Sequence, residues 1–289
     1  MSADRRGVLY PDWLPSLTRL PAPERVAAFV RWFWIPEWHL PAGRTSRQHL
    51  IAFPACNLVV EPERVGLSGP ATRRSHRDLT GTGWAVGALL RPAAVPAFTD
   101  DPATLRDTDR TVSLPGLHTP VAAAMSGPGD AAARHRQAVE AFADWLLATV
   151  PAPDPQALLA NALADLVDTD PEVQHVADVA TRLHVSPRTV QRLAHHYVGL
   201  TPLAMIRRRR LQEAAQRLRE DPRTSLAALA VELGYADQAH LATEFRTVLG
   251  LAPSSYRTGN QPNQQPNPQP DPRSAPRPGR RTGNQPGNG

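Results

Sequence analysis

The side chains best placed to do chemistry lie in two short runs of the C-terminal half. The first holds Arg188, Thr189, Gln191, Arg192 and His195; the second, some fifty residues on, holds Gln238, Ala239, His240, Thr243 and Arg246. Their spacing of three and four residues sets most of each run on one face of a helix. An arginine fork matches guanine O6 and N7 or a phosphate, and glutamine pairs in the same bidentate way with adenine. That chemistry is recognition, and it needs no acid, base or nucleophile.

Other chemistries find little support. The ten histidines are scattered. His195 and His196 are adjacent, so on a helix they point about 100° apart and chelate poorly. There is no GxSxG, no phosphate-binding loop and no GxGxxG. His39, His49 and His76 could hold a metal only if the N-terminal half were a cupin-like enzyme, the alternative reading from another functional class. Their plainer reading is as surface or core residues, so neither metal nor cofactor is expected. Cys56 is the single cysteine, which excludes an intramolecular disulfide and CxxC sites; it reads as a small buried residue.

Two copies of one unit must position the recognition residues. Val176–Leu183 matches Leu226–Leu233 in its apolar pattern, and a short turn follows each, His184-Val185 or Gly234-Tyr235. Ser186 or Asp237 then caps a second helix, which ends near Gly199 or Gly250, and Pro202 or Pro253 opens the next. Each copy has the layout of a helix-turn-helix, with the capped second helix able to enter a groove. Val190, Leu193, Ala194 and Tyr197 form the inward stripe of the first copy, and Leu241, Phe245 and Val248 that of the second. Thr247 joins the outward face of the second copy, with Gln238 on its flank.

Charge separates the copies. All 32 basic residues are arginine, a bias that says little by itself. From Val179 to Arg219 there are nine arginines against one acid, Glu213; from Glu220 to Arg257 there are three against five acids. The first copy and the helix after it therefore carry the phosphate attraction. In that helix, Pro202 to about Arg219, the stripe Leu203, Ile206, Leu211, Ala214 and Leu218 is expected to be buried. Arg210 lies beside the stripe and is expected in a buried or half-buried salt bridge. Arg207 to Arg209 are open to phosphate or solvent, and Arg208 is assigned to phosphate contact.

The preceding sequence differs in kind. Residues 1–126 are rich in Pro and Gly, with short apolar segments at Arg31–Ile35, Asn57–Glu61, Val65–Ser68 and Trp84–Leu90 that read as strands. Pro23–Trp34 has helical spacing at its start. This half is expected to be mostly β, with a small barrel as one form. Asp130–Val150 reads as one helix (residues 130–150), capped by Asp130 and stopped by Pro151, which either packs on its own half or offers a dimer contact. Residues 258–289 are mostly Pro, Gln, Asn, Gly and Arg, with no aliphatic or aromatic side chain except one Ala, and are expected to be a disordered, mildly basic tail. No run is apolar enough to span a bilayer and no signal peptide is evident, which points to the cytoplasm.

At 155–257 the chain resembles the DNA-binding domain of the AraC/XylS regulators. Gly234-Tyr235-Ala-Asp237-Gln-Ala-His240-Leu241-Ala-Thr-Glu-Phe245-Arg246 and Gly250-Leu-Ala-Pro253-Ser-Ser-Tyr256-Arg257 carry the resemblance most specifically. Ser186-Pro-Arg-Thr-Val190-Gln-Arg192 and Arg210…Ala214 add to it. The resemblance implies an α+β chain: a mostly β sensor-like half, then an all-α double helix-turn-helix domain whose two recognition helices enter neighbouring major-groove segments. It places base-facing residues at Arg188, Gln191, Arg192, Gln238, Ala239, His240 and Thr243. Ala194 stands where the family has Phe, and Thr243 where Arg is common. Arg31-Trp32-Phe33-Trp34 and Gly87-Ala-Leu-Leu-Arg91-Pro92 resemble the family's sensor-like domains. Those imply a small effector or a homodimer, with double-stranded DNA and RNA polymerase as partners of an activator. A sequence-independent architectural protein would need even basicity and matched faces, which the two unlike copies lack.

Overall fold

Between residues 17 and 111 the chain folds into strands: β1 (Leu17–Pro21), β2 (Val30–His39), β3 (Thr45–Leu50), β4 (Asn57–Glu61), β5 (Arg64–Ser68), β6 (Ser75–Thr80), β7 (Thr82–Trp84), β8 (Val86–Leu90) and β9 (Asp109–Thr111). Helices follow: α1 (His118–Ser126), α2 (Ala131–Thr149), α3 (Pro155–Thr169), α4 (Val176–Arg182), α5 (Pro187–Leu193), α6 (Pro202–Glu220), α7 (Leu226–Glu232) and α8 (Gln238–Leu249). The computed structural model describes residues 16–50, 54–73, 75–250 and 252–254. The tail expected at 258–289 lies outside the described residues.

The main sheet runs in the order β1-β2-β8-β4-β5-β9, antiparallel throughout, with β7 also on β2 and with β3 and β6 paired separately. β1 and β9 end that path, so among the described residues the sheet is open rather than closed into the barrel held in view above. Alternation sorts its residues: Phe33 and Ile35 of β2, Leu58 and Val60 of β4, and Val86 and Ala88 of β8 enter one core. The helical spacing seen before β2 yields only a short 3-10 turn at Glu24–Val26, after which Val30 begins the strand. Val26, Phe29, Val30 and Phe33 are all buried nonetheless.

α2 begins where its cap predicts, with the Asp130 carboxylate accepting from Ala133 N–H at 2.7 Å. Its stripe Val139, Phe142 and Leu146 fills the sheet's core, and Phe142 meets Phe33 edge-on at 5.4 Å. The helix therefore packs on its own half with that face. α1, inside the segment read as mostly β, anchors the same core through Val121 and Met125.

The helical half has two further cores. The first joins α3, α4, α5 and the start of α6, and takes in Ala93 from the N-terminal half. The second joins the remainder of α6, from Leu211 to Leu218, with α7 and α8 around Phe245. α6 is thus the rod shared by two separately packed units.

Candidate nucleic-acid interface

The first unit is α4, a turn and α5. The Ser186 hydroxyl accepts from Thr189 N–H at 3.1 Å and fixes the start of α5. Val190, Leu193, Ala194 and Tyr197 are buried as expected. Arg188, Gln191, Arg192 and His195 are exposed and Thr189 half-exposed. Arg192 Nη1 donates to the Gln156 side-chain oxygen at 3.1 Å, a single exposed bond. The helix ends in a π turn, Ala194–Val198, closed by Gly199 in the left-handed conformation. Ala194 and Tyr197 are both buried in the core of the first unit, and Trp145 stacks on Phe98 in the N-terminal half.

The second unit repeats this construction. His184 and Gly234 both take left-handed φ, 54° and 71°. The N–H of Val185 reaches back to Ala180 O and that of Tyr235 to Ala230 O. The Asp237 carboxylate accepts from His240 N–H at 2.7 Å and starts α8. Leu241, Phe245 and Leu249 face inward with Val248 partly covered, and Gln238, Ala239, His240, Thr243, Arg246 and Thr247 are exposed. Arg246 Nη2 donates to the Thr243 hydroxyl at 3.4 Å.

α6 departs from the sequence reading. Arg208, expected on phosphate, is 4% exposed. Burial pushes its pKa down to about 10, partly offset by Asp107 of the N-terminal half. It lies on the α6 face of Met205, Arg209 and Gln212, which packs toward the other half of the molecule, so it cannot reach DNA in this arrangement. Arg209 is buried as well: it donates to the Val173 carbonyl at 3.0 Å and to Glu213 at 3.1 Å, while burial lowers its pKa. Arg210 is buried as expected, but against backbone carbonyls rather than in a salt bridge. Of the four consecutive arginines only Arg207 is exposed, 3.7 Å from Glu244. Leu203, placed in the buried stripe, is exposed, and Met205 and Ala215 are buried instead. The positive face is therefore narrower than the arginine count implies and centres on α5.

The N-terminal half meets the first unit along a polar seam. Asn161 of α3, buried, accepts from Ala93 N–H at 2.9 Å and donates to Ala28 O at 2.8 Å. Arg31 pairs with Asp168, and Arg91 with Asp165. Arg106 Nε donates to the carbonyl of Gly199, the residue that closes the helical segment following α5, at 2.6 Å. A cavity of about 50 Å³ lies in this seam, lined by Cys56, Val95, Arg91, Met205, Arg209 and Gln212 among others. Both amide atoms of Gln212, which is 3% exposed, lack a hydrogen-bond partner there. Sequence reasoning missed the seam, since its partners lie tens of residues apart and no local pattern links them.

Of the histidines weighed as metal ligands, His49 and His76 are opposite positions in the β3–β6 register, and His39 lies at the end of β2. His39 bonds the Thr82 hydroxyl at 2.6 Å and His76 is exposed in β6; the side chain of His49 lies outside the described residues. Among the described residues no group of three His, Cys, Asp or Glu could hold a metal ion, and no helix is long and apolar enough to cross a membrane. Burial pushes the Cys56 thiol up to about 12, as fits a residue at 1% exposure.

Two family models match the chain: a helix-turn-helix domain over residues 179–259 and a domain of unknown function (DUF6597) over residues 18–111. A Streptomyces lividans protein described as an AraC-like transcription regulator is 35% identical over 121 residues, 42% of this chain and 38% of that one. The transcriptional activator RhaS of Pectobacterium carotovorum is 34% identical over 79 residues, 27% of this chain and 28% of that one. The chain thus spans about two fifths or less of the length of these curated relatives. Among solved structures, ToxT from Vibrio cholerae superposes with a TM-score of 0.42 at 10% identity, over 84% of this chain and 97% of that one.

Proposed function

The C-terminal part of this chain is an AraC-type double helix-turn-helix domain, and from that premise we propose that the protein is a sequence-specific transcription regulator. It reads two adjacent major-groove segments of double-stranded DNA, one with α5 and one with α8. The observation that carries this reading is the pair of capped helices, each presenting exposed polar side chains above a buried apolar stripe. Arg188 and Arg192 recognise guanines through O6 and N7, and Gln191 favours adenine. Gln238, Ala239, His240, Thr243 and Arg246 form the second reading surface, with less charge behind it. Thr189, beside the Ser186 cap, and His195 complete the first.

In this reading residues 1–126 regulate, the helix at 130–150 connects, and 155–257 bind DNA. A small effector acts at the seam by opening it, since the cavity of about 50 Å³ holds no more than water as it stands; the unpartnered Gln212 amide is the polar group it would satisfy. Occupation there is transmitted through Arg106 to the end of the helical segment following α5. A second copy of the chain and RNA polymerase complete the partners expected of such an activator.

Arg192→Ala tests the base-reading assignment. It is expected to weaken binding to a selected site by roughly 1–3 kcal/mol and to relax preference at one base pair. Equal weakening on every duplex, with a reduced salt dependence, would instead confine Arg192 to phosphate.

A further inference from the structure

The two units are joined by more than the rod of α6. Arg210, near the middle of that helix and buried, reaches both. Its Nη2 donates to the carbonyl of Gln174, at the entrance to the first unit, at 3.1 Å. Its Nη1 donates to the carbonyl of Gly234, in the turn of the second unit, at 3.4 Å. The guanidinium carbon lies 5.7 Å from the centre of the Tyr235 ring. Arg209, the preceding residue, holds only the first unit's side, through the carbonyls of Pro171 and Val173.

The turn of the second unit supplies an independent sign. Positions 184 and 234 are equivalent in the repeat and share the left-handed conformation. The first unit carries histidine there, so the turn alone does not demand glycine. At 234 an added Cβ would collide with the side-chain oxygen of Gln174 and stand 3.2 Å from Arg210 Nη2. Glycine there lets the Gln174 side chain, at the entrance to the first unit, lie against the turn of the second; a larger residue would displace the end of that side chain. Arg210 closes that same contact from the α6 side.

We infer that Arg210 is a positioning residue: it fixes how the two recognition helices are set relative to each other, and so dictates the spacing between DNA elements that the protein accepts. One inserted base pair moves the second element by about 3.4 Å and turns it by about 35°. A guanidinium bound to carbonyls of both units resists such a change, because its donors are directional and its surroundings are packed. The inference rests on the reading that both units contact bases.

Selection of full-length protein on a random duplex library reads spacing directly. Wild type is expected to return two short motifs at one separation. Arg210→Met keeps the length and burial of the side chain and removes the donors. It is expected to return the same two motifs over several separations, with the penalty for one inserted base pair reduced about tenfold. Arg210→Lys, which can still donate to one carbonyl, should fall between. Arg210→Met selecting the single wild-type separation would overturn the inference, as would a uniform loss of binding by a variant that unfolds at the wild-type temperature. If Arg210→Met does not fold, Arg210→Lys carries the same test: it can reach only one of the two carbonyls, and selection of the single wild-type separation by it would overturn the inference. A wild-type selection that returns one motif only would fail the two-unit reading itself, and is distinguishable on that ground.

Discussion

Gly199→Asn parts the two halves of the molecule and makes Cys56 reactive. Asparagine accepts the left-handed conformation that Gly199 holds at φ 77°. It does not accept the space: a Cβ at 199 would stand 2.5 Å from the carbonyl carbon of Pro102 and 2.7 Å from Ala103 N. Those atoms are backbone, so no rotamer change relieves the contact. The seam must open, and it loses the hydrogen bond from Arg106 to the Gly199 carbonyl, a charged bond worth about 1.5–3 kcal/mol. At about 2 kcal/mol the open fraction rises roughly 30-fold. Cys56 lines the seam cavity and is the only cysteine in the chain, so the rate of its modification by a disulfide reagent reports opening without an added label. The rate should rise by about that factor. Gly43→Asn supplies the control, since Gly43 has the same left-handed φ with nothing within 4 Å of its Cβ. Equal rates in wild type and Gly199→Asn would show that the halves are not held together through this residue.

Phe245→Ala removes the centre of the second unit and leaves the first standing. Phe245 is fully buried among Leu211, Leu218, Leu229 and Leu241, in a core that shares no residue with that of the first unit. The truncation is expected to cost about 3–5 kcal/mol, enough to unfold a unit of this size locally. Hydrogen exchange should then lose protection over α7 and α8 while α4 and α5 keep theirs. DNA protection should shrink to the element read by α5, with most of the charge-driven affinity retained. Loss of protection in both units together would mean that they fold as one, and would weaken the division of labour drawn here.

The features legible in the sequence are those that local chemistry dictates. Ser186 and Asp237 cap because a short oxygen-bearing side chain satisfies an open N–H three residues on, and both do so. The inward stripes of α5 and α8 followed from period alone. What was not legible depends on distant partners. Arg208 and Arg209 looked like a phosphate-binding surface because α6 was read without the sheet half packed against it. Burial, with Asp107 of that half nearby, sets the environment of Arg208, and the Pro171 and Val173 carbonyls between α3 and α4 set that of Arg209. β3 and β6 escaped notice because Thr45–Leu50 and Ser75–Thr80 are largely polar and satisfy each other rather than a core. α1 escaped because only Val121 and Met125 of its nine residues are buried. The asymmetry between the units survives, on narrower ground: α5 keeps exposed Arg188 and Arg192, whereas much of the cationic run on α6 is spent inside the protein.

Hydroxyl-radical footprinting of the full chain on a selected duplex tests the central claim most directly. Two protected stretches are expected on one face of the DNA, their centres about one helical turn, or ~34 Å, apart. A single protected stretch, or two separated by half a turn, would contradict the assignment of α5 and α8 as paired readers of neighbouring major-groove segments.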